Sequence, residues 1–212
     1  MVFIFCEGQT EERFVKEVVV PKYGFVRPKI IITGSGQKGG SVNYNNFIKQ
    51  CRMILKNTQV NLLITLFDFA GLPKSWYEDG NVRIKKCPKE INKRIKDDFG
   101  VDCNRIFNVW SIYEFEILAF IDVETTCEVI GRDYKSALEG ILRECGHNPE
   151  KINDYNYPSK RLGQIYKGYQ KITDGITIAK KLGIEKIRRT NSFKRLFDKL
   201  DEIRIKYAQG GL

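Results

Sequence analysis

Four consecutive apolar residues, Val2-Phe3-Ile4-Phe5, run straight into Cys6-Glu7-Gly8-Gln9-Thr10-Glu11-Glu12. An unbroken apolar run of this length predicts a strand buried on both faces, as strands of parallel sheets are. Open α/β sheets bind their ligands outside the carboxyl ends of such strands, and Glu7 stands at that end. Gly8 permits a sharp turn after it. Thr10 is expected to cap a helix whose first turn carries Glu11 and Glu12, both favourable near the positive helix end. Glu11, one turn on, is expected to face the same pocket as Glu7.

Strands and helices then alternate. Strands are expected at Val2–Phe5, Lys29–Thr33, Val60–Phe67 and Arg105–Ser111, with helices over Glu11–Val20, Asn43–Lys56 and from Pro88 to the stop at Gly100. Alternation of this kind predicts βαβ units and an α/β fold with a mainly parallel sheet flanked by helices. After Ile121 only helical patterns remain, at Tyr134–Cys145, from Ser159 to Lys167, and at Ile172–Leu182 and Ser192–Tyr207. The expected organisation is an α/β core over residues 1–121 and a basic helical extension over 122–212, packed together as one compact unit.

No stretch approaches the roughly 20 apolar residues that span a bilayer, and Val2–Phe5 lacks the basic region that precedes a secretion signal. Six cysteines are scattered without C-x-x-C spacing, which points to free thiols in a reduced compartment. A cytoplasmic protein is expected. The net charge of +10 is uneven: residues 151–212 hold 15 Lys and Arg against 6 Asp and Glu. Such a half is a footprint for a polyanion such as nucleic acid, or simply a soluble lysine-rich surface.

The single histidine, His147, lies between Gly146 and Asn148-Pro149, where a solvated loop is expected and neither a triad nor a zinc site is supported. The loop Gly34-Ser-Gly-Gln-Lys-Gly-Gly40 has the Gly34 to Gly39 spacing of a P-loop, and Ser41 ends it. Gly40, however, occupies the position of the phosphate-binding lysine. A flexible loop near the active face is expected instead. The carboxylates say more. Glu7 ends the first strand, Asp68 the third, and Glu114 and Glu116 follow the fourth. Carboxylates converging on one rim need a counter-ion, and hard oxygen ligands suit Mg²⁺ or Mn²⁺, which can activate water for phosphodiester cleavage. A single strand-end carboxylate is ordinarily just solvated; the joint placement of Glu7 and Asp68 favours function.

Four motifs occur in order: Glu7-Gly8-Gln9-Thr10-Glu11, Asp68-Phe69-Ala70-Gly71-Leu72-Pro73, Tyr113-Glu114-Phe115-Glu116-Ile117-Leu118 and Pro158-Ser159-Lys160-Arg161-Leu162. Together they resemble the RloG-like family of TOPRIM-related proteins encoded in prokaryotic defence islands, often beside ABC-type ATPases. The resemblance runs from Val2 to about Leu200. It implies a TOPRIM-like core in which Glu7 is acid/base or metal ligand and Asp68 binds Mg²⁺, with the family's Glu-Phe-Glu motif at Glu114 to Glu116. Two departures stand out. Ala70 replaces the second acid of Asp-x-Asp, so Glu11, Glu114 or Glu116 would have to supply a ligand. Thr190-Asn191-Ser192-Phe193 stands where the family carries Cys-Pro-His-Phe.

Ser159 is expected to cap a helix beside Lys160 and Arg161, gathering N–H groups, a hydroxyl and two cations into a phosphate site. Lys167, Tyr169 and Lys171 follow at short spacing. The same residues could equally pair with acids. Trp76 and Tyr77 are expected in a loop, free to stack on a base or to fold onto their own domain. The leading expectation is a Mg²⁺- or Mn²⁺-dependent nuclease acting on DNA or RNA in phage defence. Glu7, Asp68 and Glu116 would hold the metal, Glu11 and Glu114 would assist, and Ser159, Lys160, Arg161, Lys167 and Lys171 would hold the phosphate backbone. The alternative is a degenerate TOPRIM-like protein that binds nucleic acid or partners an ABC-type ATPase.

Overall fold

The computed structural model describes residues 1–33, 36, 38–40, 42–69, 71–80, 82–111, 114–154 and 157–210. Gly34, Ser41, Ala70 and Tyr113, on which part of the sequence reading falls, lie outside them. Four parallel strands form the sheet: β1 (Val2–Cys6), β2 (Val26–Ile30), β3 (Leu62–Asp68) and, after a two-stranded ribbon of β4 (Glu78–Asp79) and β5 (Val82–Arg83), β6 (Ile106–Ser111). The strand order is β2-β1-β3-β6. The chain is therefore an α/β protein with a parallel sheet, as the alternating pattern predicts. β2 begins and ends a few residues earlier than expected.

The period-2 geometry of a strand divides each apolar run between two cores. Val2, Ile4 and Cys6 of β1 and Leu62, Ile64 and Leu66 of β3 face one side. Phe5, Leu63 and Phe67 face the other. α1 (Gln9–Phe14), which continues as a wider π-turn over Val15–Val19, covers the first side with Phe14, Val15 and Val18. α2 (Tyr44–Leu55), capped by the Asn43 side chain, and α3 (Pro88–Phe99) cover the second with Phe47, Cys51, Ile91 and Ile95. Trp76 is wholly buried there, its indole N–H donating to Val42 O at 2.8 Å. The loop position expected for it is thus a core position.

All later helices return to the first side. They are α4 (Val123–Ile130), α5 (Lys135–Glu144), α6 (Pro158–Ile165), α7 (Ile176–Ile187) and α8 (Asn191–Ala208). Leu138, Leu162, Ile178, Leu196 and Leu200 share one core with β1 and β3. α4 is absent from the expected elements; Asp122 caps it by accepting from Thr125 N at 2.9 Å. Gly183 sits inside α7 at φ +68°, a left-handed conformation that ends regular helix geometry one residue after Leu182. All six cysteines are free thiols, and among the described residues no helix is long and apolar enough to cross a membrane.

Candidate active site at the sheet rim

The chain leaves β1 toward one side of the sheet and leaves the neighbouring β3 toward the other. Two adjacent parallel strands whose connections diverge open a crevice at their carboxyl ends, the topological switch point where α/β sheets bind ligands. Glu7 and Asp68 stand at its two lips. Glu7 N donates to Leu66 O at 3.3 Å, carrying the parallel ladder one residue past β1. Asp68 N donates to Glu7 Oε2 at 2.9 Å. The sequence reading allows these two strand ends to be neighbours on one rim, and this hydrogen bond joins the two residues there.

Gly8, not Thr10, is the N-cap of α1, and Thr10 is buried in its first turn. A side chain at Gly8 would meet Glu11 Oε2 at 2.8 Å, so glycine here lets the Glu11 carboxylate fold back toward the turn. The glycine loop closes in from the other direction. Gly40 N donates to Glu7 O at 3.0 Å, and a Cβ on Gly39 (φ +80°) would stand 3.1 Å from Gly8 Cα. Glu7, Glu11, Gly40, Asp68, Ser111, Phe115, Lys171 and Phe193 line a crevice of about 250 Å³. That is below the roughly 300–1,000 Å³ of pockets that engulf a whole small molecule. It is room for a phosphate group and a hydrated ion rather than for a nucleotide.

Burial is the main force on the Glu7 carboxyl and raises its pKa to about 7. The Asp68 N–H opposes the shift, the charges of Asp68 and Glu11 add to it, and Lys171 reduces it. Glu116 lies behind Lys171, only 4% exposed, and Lys171 Nζ stands 3.3 Å from its Oε2. Burial also pushes the Glu116 carboxyl up, against the pull of the Lys171 charge. Burial works against the Lys171 ammonium, but Glu116, Glu11 and Glu114 outweigh it and hold the pKa above its ordinary value.

Lys171 therefore belongs to the acidic crevice and not to a strip shared with Ser159, Lys160 and Arg161. The expected phosphate site at α6 is also filled differently. Tyr157 is the N-cap and Pro158 opens the helix, so Ser159 is not the cap. Its N–H donates to Glu114 Oε2 at 2.8 Å. A carboxylate from 45 residues away thus occupies the place where an anion would bind. Arg161 pairs with Glu144 at 2.5 Å, Lys160 lies over the Tyr157 ring at 5.3 Å, and Lys167 is exposed. Ion pairs also occupy most cations of the two last helices, among them Lys180, Lys181, Lys186, Lys194 and Lys199. His147, exposed at φ +58°, closes α5 by donating its N–H to Leu142 O at 2.7 Å.

Glu116 does not line the crevice, and among the described residues no three Asp, Glu, His or Cys side chains form a group that could hold a metal ion. Glu7 and Asp68 fit a different arrangement. Mg²⁺ is commonly bound through one or two carboxylates, with water and substrate phosphate completing its shell. Phe14, Phe115 and Phe193 pack edge-on or tilted behind the crevice, with ring centroids 5.2–6.3 Å apart. Phe193 reads as core from its helical spacing, and no signal in the sequence alone places it on this wall. Ser111 was findable: it ends the fourth strand as Asp68 ends the third, and the two are in register.

The DUF4276 family, described as a domain of unknown function, matches residues 6–201, and the chain belongs to it. No curated protein and no solved structure matches.

Proposed function

We propose that this DUF4276 member is a Mg²⁺- or Mn²⁺-dependent phosphodiesterase acting on DNA or RNA, with Glu7 and Asp68 as the metal-binding carboxylates. The observation that carries the reading is the Asp68 N–H to Glu7 Oε2 hydrogen bond at 2.9 Å inside the switch-point crevice. It fixes a desolvated carboxylate beside a second one, where a cation relieves the cost of their shared charge. A divalent ion bound there supplies charge neutralisation to a phosphate group and lowers the pKa of water. The chain's own residues do the rest. Lys171 offers a fixed ammonium to a phosphate oxygen, Glu11 accepts a proton at the mouth of the crevice, and Phe115 and Phe193 exclude water from its wall. Glu116 acts by orienting Lys171, and Glu114 by anchoring α6.

The ordered motifs that resemble RloG-like, TOPRIM-related proteins support the same chemistry and a role in phage defence. In assays with labelled DNA and RNA, Glu7→Gln and Asp68→Asn are each expected to lower metal-dependent cleavage by about 100-fold or more while the fold persists. Full activity in both variants would contradict the assignment.

One observation favours a second reading. Lys171 already brings a cation to the carboxylates. A crevice neutralised from within would suit a non-catalytic subunit that binds nucleic acid or serves an ABC-type ATPase. Binding of nucleic acid without cleavage, and without any Mn²⁺ uptake, would decide for it.

A further inference from the structure

Ion pairs hold most cations of the two last helices, so a polyanion approaching the crevice would draw on cations that carry no such pair. One segment has them. Between residues 83 and 96 the only acid is Glu90. Arg83, Lys85, Lys86, Lys89, Lys93 and Lys96 are all exposed. Apart from Lys86, none of these six has an ion-pair partner among the described residues. Lys89, Lys93 and Lys96 follow the i, i+4, i+7 spacing that places them on one face of α3.

This stripe starts beside the sheet rim, next to the residue that follows Asp68. α3 connects the parallel strands β3 and β6, so its first turn lies at the rim where Asp68 ends β3. Lys86 Nζ lies 5.9 Å from the ring centroid of Phe69, the residue after Asp68, and 5.4 Å from that of Tyr77. From Lys89 to Lys96 the helix rises about 10 Å, close to three nucleotide steps at ~3.4 Å each. We propose that the 83–96 stripe is the nucleic-acid track of this protein, gripping the phosphate backbone and leading one strand over Lys86 into the crevice of Glu7 and Asp68. The proposal rests on the phosphodiesterase reading for what happens in the crevice, but not for binding along the track.

Fluorescence anisotropy with labelled single-stranded and duplex oligonucleotides, in EDTA so that no cleavage occurs, separates the two. The triple variant Lys85→Gln, Lys89→Gln, Lys93→Gln is expected to bind at least tenfold more weakly. Its log–log salt slope is expected to fall by about 2 for single strands, at ~0.7 per lost phosphate contact. The control triple Lys180→Gln, Lys181→Gln, Lys194→Gln is expected to bind as the wild type does. Equal binding and slope in the wild type and the stripe variant, or equal losses in both triples, would overturn the track. So would a wild type that binds no nucleic acid. A wild type that binds through the stripe yet never cleaves with Mn²⁺ would leave the track standing and remove only the phosphodiesterase reading.

Discussion

Lys171 Nζ stands 3.3 Å from Glu116 Oε2, and this contact joins the helical half of the chain to the acidic rim of the sheet. Glu116 is buried and its folded pKa is raised, so its contribution to stability is lost as pH rises from the unfolded carboxylate value through the folded one. Removing the ammonium steepens that loss. Lys171→Met is expected to cost about 2 kcal/mol in urea unfolding at pH 8. That is less than the 3–5 kcal/mol for a fully buried pair, because Lys171 keeps 41% of its side chain in water. At pH 4.5 the cost should shrink, and Glu116→Gln in the same background should recover much of it at pH 8.

Glu7 follows the same sign at larger scale. Its folded pKa of about 7 lies above the ordinary value of 4.5. The folded state therefore holds a proton that the unfolded state has released between those two pH values, and stability declines across that window. Without metal, Glu7→Gln should be more stable than the wild type by on the order of 2 kcal/mol at pH 8 and about equal to it at pH 4.5. Thermal unfolding at the two pH values reads the difference.

Glu114 caps α6 across 45 residues through the Ser159 N–H. Glu114→Ala should lose about 1 kcal/mol, as other lost caps do, and should expose the 158–165 backbone to faster hydrogen exchange. Mn²⁺ uptake by the crevice should not change. If Glu114 instead served the metal, uptake would fall along with stability.

Trp76 is buried against Phe47 and Tyr44, with ring centroids 4.6 and 5.4 Å away. Trp76→Ala should cost about 3–5 kcal/mol through cavity formation. Oligonucleotide binding should leave the emission of Trp76, read in a Trp110→Phe background, unquenched. Quenching on binding would return this side chain to a base-stacking role.

The sheet was legible because its strands are short apolar runs, and the carboxylates at their ends could be placed by counting. The meeting of Glu7 with Asp68 follows from topology, since both end parallel strands. What escaped were relations between distant segments. Nothing local in Ser159-Lys160-Arg161 shows that Glu114 already fills the anion position. Lys171 looks like one more surface lysine until the turn carrying it packs beside Glu116. Net charge misled for a related reason. The C-terminal excess of cations is consumed by pairs such as Lys186 with Asp122 and Lys181 with Glu128, whose partners lie 53 to 64 residues away. The basic stripe at 83–96 was hidden because residues 1–150 as a whole hold 21 Lys and Arg against 20 Asp and Glu.

The most direct measurement is calorimetric titration of Mn²⁺ into the wild type, Glu7→Gln and Asp68→Asn at pH 6 and pH 8. Deprotonation of Glu7 precedes binding, so wild-type affinity should rise several-fold to tenfold between the two pH values, with proton release at pH 6. The Glu7→Gln and Asp68→Asn proteins, still folded, should show no binding at either. Equal uptake by all three proteins, or none by the wild type, would contradict a metal site at this rim.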